Sequence, residues 1–267
     1  MRSFKKFLAV SAASMSALMV AAPAVAGNIL IINGLTGTSE VGTTNSITTQ
    51  LNTLHTAVGN VVTVVDTVPV SFAGYQQVWD IRFSNSGALA AGTITQYVSY
   101  LAGGGGMFVM GENSGFATRN SSVLSLISAA GGGSLTFTTP GDAQNAFAPF
   151  TGPNALSTIN YQAAGGVTTF GTGQWITANA NGGTGVAFAV GSLSNASRGA
   201  LTAIFDVNFM QGTSSAQEIA LTKNLIGFVG AQVSPVPEPA TWGMMLVGFG
   251  IVGGAMRRRQ RTSVSFG

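Results

Sequence analysis

Residues 28–33 read Asn-Ile-Leu-Ile-Ile-Asn, four consecutive aliphatic side chains between two amides. An apolar run of this length predicts a strand buried on both faces. Beyond it Ile47, Leu51 and Leu54 recur at i, i+4 and i+7, which predicts one face of a helix. A second β-branched run covers residues 61–65 and a third apolar run residues 78–83. Ile94, Tyr97, Val98 and Leu101 mark the next helix, and the glycines at 103–106 end it, because glycine reaches the left-handed conformations of helix C-termini. Residues 107–110 read as a strand, and Val123, Leu124 and Ile127 as a further helix face. This alternation predicts an α/β fold: a doubly wound, mainly parallel sheet with helices on both faces.

Residues 134–181 break the rhythm. They are rich in Gly, Thr, Asn and Pro and predict an irregular insertion or an antiparallel edge, so the second half is expected to be loop-rich. Residues 185–190 and 200–205 return to buried strands, and residues 215–229 predict a last helix with Ile219, Ile226 and Val229 on one face. The main domain is thus expected at 27–230, followed by a linker at 231–235.

The two ends are patterned differently. Arg2, Lys5 and Lys6 precede an uncharged apolar stretch that closes on Pro23-Ala24-Val25-Ala26, the layout of a signal peptide over residues 1–26 with cleavage after Ala26. At the other end Val236-Pro237-Glu238-Pro239 is followed by an uncharged stretch at 240–256 and then by Arg257, Arg258, Arg259 and Arg261. A helix over 240–256 rises roughly 25 Å, near the lower limit for crossing a bilayer. Arginines directly after it hold that end in the cytoplasm. A signal helix and a transmembrane helix, both separate from the domain, are therefore expected. A simple C-terminal anchor fits this pattern.

The order of Val-Pro-Glu-Pro, short apolar helix and arginine cluster at 236–261 resembles the PEP-CTERM sorting signal of Gram-negative bacteria that make exopolysaccharide. That resemblance implies that an exosortase-type membrane protease recognises the Pro-Glu-Pro element and removes the tail. It implies signal peptidase and exosortase as processing partners, transient residence in the inner membrane, exopolysaccharide as a candidate partner, and a final place at the cell surface or in the extracellular biofilm matrix.

Charge looks basic over the whole chain, +3 with a pI of about 9.6, but its distribution reverses that. Between residues 27 and 235 only Arg82, Arg119, Arg198 and Lys223 are basic, against Glu40, Asp66, Asp80, Glu112, Asp142, Asp206 and Glu218, which leaves this region at −3. Nucleic-acid binding needs clustered cations, and this domain has none. The absence of cysteine removes disulfides, thiolate metal sites and cysteine nucleophiles.

One local motif invites a catalytic reading. Residues 107–115, Met-Phe-Val-Met-Gly-Glu-Asn-Ser-Gly, predict a strand running into a G-x-N-x-G turn with a helix soon after. Nucleophile elbows place Ser or Cys at the middle of such a turn; here it is Asn113. With the strand–helix order of residues 28–230, this resembles the class I glutamine amidotransferase-like superfamily, which has a flavodoxin-like sheet. The resemblance implies a Cys at the elbow and a downstream His. The chain has no Cys, and its only histidine, His55, falls on the first predicted helix, where a solvated position is expected. Ser114 would need a neighbouring base, and no metal-binding motif or phosphate loop occurs. The seven acids leave a carboxylate pair for glycoside hydrolysis open, with no spacing that selects two of them. Trp79 reads as core, and Trp175 is open between core and sugar stacking.

No catalytic residue, metal site or cofactor is expected. The domain reads as a non-catalytic surface or matrix protein, with an extracytoplasmic enzyme of unknown type, acting on carbohydrate, as the alternative. If a ligand binds, the carboxyl ends of the strands should hold it. That edge is predicted to gather Asn33, Arg82, Glu112, Asn113, Arg119, Asp206 and Asn208, either as a binding site or as mutually paired groups that hold the loops. Loss of both ends removes seven basic residues, so the mature domain should focus at acidic pH. Isoelectric focusing of the extracellular form checks this; a basic species would show that the boundaries are wrong.

Overall fold

A computed structural model describes residues 27–211 and 215–233. The expected signal peptide at 1–26 and sorting signal at 236–261 lie outside the described residues. Among the described residues no helix is long and apolar enough to cross a membrane.

The first half alternates as β1 (Asn28–Ile32), α1 (Val41–Ala57), β2 (Val61–Val65), β3 (Gln77–Asp80), α2 (Ala91–Ala102), β4 (Gly106–Gly111) and α3 (Ala117–Ala130). The second half holds β5 (Phe137–Thr138), β6 (Ala143–Ala146), β7 (Thr158–Asn160), β8 (Gly166–Val167), β9 (Gln174–Asn179), β10 (Gly182–Phe188), β11 (Ala200–Phe205) and α4 (Ala216–Gln232). The sheet order is β2-β1-β3-β4-β11-β10-β9-β6-β7.

Strand alternation sorts the core into two layers. Ile29, Ile31, Trp79, Phe108 and Ile204 face one way, onto Ile47 and Leu51 of α1 and Leu221 and Leu225 of α4. Leu30, Ile32, Val78, Met107, Val109 and Leu201 face the other way, onto Tyr97 and Leu101 of α2 and Val123, Leu126 and Ile127 of α3. Each such fully buried aliphatic side chain stabilises the fold by about 1.5–3 kcal/mol. The helix α4 begins with a capping box: Ser215 accepts from the Glu218 N–H, and the Glu218 carboxylate accepts from the Ser215 N–H.

The expected parallel sheet with helices on both faces forms one part of a mixed sheet. Strands β2, β1, β3, β4 and β11 are parallel, but β10, β9, β6 and β7 add to β11 antiparallel, so the sheet is mixed. Connection length accounts for one of these pairs. Only two residues separate β9 from β10, which permits a hairpin, whereas parallel neighbours need a crossover. Boundaries shift as well: the third strand stops at Asp80 rather than reaching residue 83, and β10 occupies 182–188 rather than 185–190. Of the two expectations for 134–181 the structure has the antiparallel edge, since β5 to β9 supply most of the antiparallel wing.

Candidate functional site

From β1 the chain crosses through α1 to β2 on one side, then returns to β3 on the other side of β1. A reversal of this kind leaves a crevice beyond the carboxyl ends of the strands. Asn33 leaves β1, Arg82 follows β3, Glu112 and Asn113 follow β4, and Asp206 and Asn208 follow β11, all at this edge. Arg119 reaches it from the first turn of α3. The seven residues do not form one cluster; they divide into separate hydrogen-bonded groups.

The first group centres on Asp80, which sequence reasoning counted among the acids but did not select. Its carboxylate is sealed from solvent. Arg82 donates Nε to Oδ1 at 2.9 Å and Nη2 to Oδ2 at 2.7 Å, a fork-to-fork pair. Tyr97 donates its hydroxyl to Oδ2 at 2.9 Å. Arg119, also fully buried, holds Nη2 3.4 Å from Oδ1, close enough for charge attraction but without a hydrogen bond. Its other donors reach the carbonyls of Met110 at 2.8 Å and Gly87 at 2.6 Å. Burial would raise the Asp80 pKa, but the Arg119 and Arg82 charges and the Arg82 and Tyr97 hydrogen bonds bring it to about 2. The expected pairing of these arginines with Glu112 or Asp206 is corrected: their shared partner is Asp80, two residues before Arg82.

The second group forms the turn after β4. Glu112 Oε1 accepts from the Asn113 N–H at 3.0 Å and its side-chain amide at 2.8 Å, and Oε2 accepts from the Val207 N–H at 2.6 Å. Asn113 Oδ1 accepts from the Gly115 N–H at 2.8 Å, capping the short turn Ser114–Phe116. Asn120 accepts the Glu112 N–H through Oδ1 and donates Nδ2 to the carbonyls of Glu112 and Asn113, each at 2.8 Å. Asp206 accepts from the N–H groups of Gln162 at 2.8 Å and Asn208 at 2.6 Å. Neither acid has a cation among these partners. Burial raises the Glu112 pKa and lifts Asp206 to about 7, against the pull of these N–H donors.

Asn33 stands beside the β1–β3 crevice, a cavity of about 120 Å³ whose walls include Thr36, Thr44, Asp66, Arg82 and Ser84. Asn33 Oδ1 accepts from the Leu35 N–H at 3.3 Å, and its amide donates to Thr48 Oγ1 at 3.4 Å. Gly34 adopts φ 62°, and a Cβ there would lie 2.7 Å from Arg82 Cγ, so only glycine fits this first loop position.

The expected solvated position of His55 is corrected. It is fully buried, 4.9 Å from the Trp79 ring in an edge contact, and Asn60 donates to its Nδ1 at 3.1 Å. Burial lowers its pKa to about 4. It lies on α1, toward the opposite end of that helix from the crevice. Trp79 is core, stacked on Phe108 at 4.8 Å, and Trp175 is half-buried, edge-on to Phe170. Ser114 is exposed. Among the described residues no group of three or more His, Cys, Asp or Glu could hold a metal ion. Sequence reasoning also missed Tyr97, Asn120 and Thr44. A polar atom buried inside an apolar helix pattern was the available signal for Tyr97.

Two measurements check this electrostatic reading. Asp80→Asn leaves two guanidiniums without their counter-charge and should destabilise the domain by about 3–5 kcal/mol in urea unfolding. A loss within error would show that the ion group contributes nothing net. The raised Asp206 pKa means that the fold favours the protonated carboxyl. This group therefore adds stability as pH falls from about 7 toward its unfolded value of 3.8, while buried His55 removes stability as pH falls from 6.5 to about 4. Asp206→Asn removes that gain, so its stability should fall more steeply than that of wild type on acidification through this window. An Asp206→Asn profile parallel to wild type would refute the assignment.

Comparison with solved structures finds likeness of fold. The mmIFT52 N-terminal domain is 13% identical, with a TM-score of 0.55 over 78% of this chain and 98% of that one. Exo-beta-1,4-mannosidase Op5Man5 from Opitutaceae bacterium strain TAV5 is 12% identical, with a TM-score of 0.50 over 76% of this chain, which spans only 36% of that protein. A putative thua-like protein from Bacteroides uniformis is 12% identical, with a TM-score of 0.49 over 80% of this chain and 94% of that one. No curated protein matches the sequence. Residues 235–260 match the family model of the PEP-CTERM protein-sorting motif: the chain carries this signal, which implies an exported, membrane-associated precursor processed through an exosortase-type pathway.

Proposed function

We propose that the exported domain works without catalysis, as a cell-surface or extracellular-matrix protein delivered by exosortase-type sorting. The observation that carries this reading is the turn after β4. The position where an elbow enzyme holds its nucleophile is Asn113, and both ends of its amide are engaged, with Glu112 Oε1 and with the Gly115 N–H. Glu112 in turn is held by three N–H donors. Side chains engaged in this way shape a turn. They are poor general bases, since proton transfer needs a free lone pair in reach of substrate. His55, the chain's single imidazole, packs against Trp79 in the core and supports no serine at this edge.

The alternative, an extracytoplasmic enzyme acting on carbohydrate, is separated by one set of assays on the extracellular form. Intact mass should show a chain beginning near Gly27 and lacking Arg257 to Arg261, and glutaminase, esterase and glycosidase substrates should show no turnover. Turnover that disappears in Ser114→Ala or Glu112→Gln would overturn the non-catalytic reading. Recovery of the arginine cluster in the extracellular form would overturn tail removal.

A further inference from the structure

The β1–β3 crevice contains a hydroxyl with no partner. Thr44 is 1% exposed and lines the cavity, and its Oγ1 makes no hydrogen bond among the described residues. A threonine hydroxyl in a helix ordinarily returns to the carbonyl four residues back. Thr48, Thr53, Thr95 and Thr222 all do so here, at 2.7 to 3.1 Å. At Thr44 the corresponding carbonyl, that of Glu40, receives only the Thr44 N–H. A buried hydroxyl left this way is a cost to the fold unless something in the crevice meets it.

Two further features give the sign of what would meet it. Thr44 lies in the first turn of α1, where the leading N–H groups have no acceptor within the helix. Glu40, at the N-cap, makes no side-chain bond to them, and no acid occupies that first turn. The end of α3 facing the same edge is treated differently, since Asn85 Oδ1 accepts from the N–H groups of Thr118 and Arg119. Those N–H groups belong to residues 41–43, which lie outside the crevice lining, so the terminus contributes the positive end of its dipole, beside the acidic N-cap Glu40, and Thr44 is the α1 residue that lines the cavity. Behind the crevice, Arg82 and Arg119 share the single carboxylate of Asp80, leaving one positive charge in excess. Arg82 is the member that reaches the surface, its side chain 14% exposed, with Nε and Nη2 used on Asp80.

We propose that this crevice binds a small oxyanion: a phosphate, a sulfate or the carboxylate of an acidic sugar. Thr44 Oγ1 and the Arg82 guanidinium are its donors. The cavity of about 120 Å³ admits one such group and is far below the roughly 300 Å³ and more of pockets that enclose drug-sized ligands. Asp66 on the rim opposes an anion. Its carboxylate, however, accepts from the Thr36 N–H and hydroxyl, which hold the loop, and it is exposed to solvent screening.

The test is titration calorimetry on the full chain in a neutral detergent, with sodium phosphate, sodium sulfate and sodium glucuronate, and with glucose as the uncharged control. At least one oxyanion should bind saturably and glucose should not; which anion binds tightest identifies the source. Thr44→Val keeps the shape and removes only the unpartnered hydroxyl. It should weaken anion binding about tenfold, the loss of one hydrogen bond to a charged group, while the unfolding temperature holds or rises. Asp66→Asn should tighten binding several-fold by removing the opposing charge. Absence of binding for all three anions, equal binding of glucose, or Thr44→Val that binds normally or unfolds earlier would each overturn the proposal. Weaker anion binding in Asp66→Asn would do so too.

Discussion

One buried carboxylate organises the carboxyl edge of this sheet. Asp80 has no exposure, and an isolated charge there would cost far more than a small domain can tolerate. It is stable because two guanidiniums and a phenol converge on it from separate segments: Arg82 from its own loop, Arg119 from α3 and Tyr97 from α2. The dependence is mutual, since burial pulls the Arg119 pKa down and Asp80 is what holds it up. Arg119 then extends the connection to the carbonyls of Met110 and Gly87. Gly34 and Gly87 pack so closely on the Arg82 stem that a Cβ at either would lie 2.7–2.8 Å from it. The loops around the crevice are thus set by an ion group behind it.

Farther along the same edge the chain uses amides where other proteins use ions. Glu112 ties β4 to the loop after β11 through the Val207 N–H, and Asp206 ties that loop to the antiparallel wing through Gln162. Within the wing, Gln144 exchanges hydrogen bonds with Thr184, and Asn224 of α4 holds the Asn154 loop. A charge-poor sequence satisfies its buried polar groups this way, and it leaves an electrostatic signature. A carboxylate held by guanidiniums has its pKa drawn down to about 2, whereas one held by neutral N–H donors is left at about 7 by burial.

Much of the parallel half was legible because its strands are continuous aliphatic runs and its helices carry clean i, i+4 spacing. Residues 28–33, the Ile47–Leu51 spacing and the 107–110 run are the elements the fold uses. Strand direction was less legible: residues 182–188, Gly-Gly-Thr-Gly-Val-Ala-Phe, are buried throughout and carry no apolar/polar alternation, so only the two-residue connection after β9 marked the antiparallel pairing of β10 with β9. The polar edge was read by position and missed by partner. Reasoning from strand ends located Arg82, Glu112 and Asp206, but Asp80 was hidden because the 78–83 run places it inside the strand, whereas β3 ends at it. His55 was misread because its helix is mostly polar, and nothing local records that its face meets Trp79.

These two regimes divide the edge by function. At the β4–β11 end, Glu112, Asn113, Asn120 and Asp206 are consumed in holding the turn, so a ligand arriving there would have to break bonds the fold relies on. At the β1–β3 end the ion group lies beneath the loops, and the wall above it retains an unpartnered hydroxyl, that of Thr44. Recognition costs least where donors are already placed and unspent, since no native bond is exchanged for the new one. A domain built like this would keep its elbow-like turn as scaffold and meet its surroundings through the switch-point crevice, one strand pair away from the position an elbow enzyme would use.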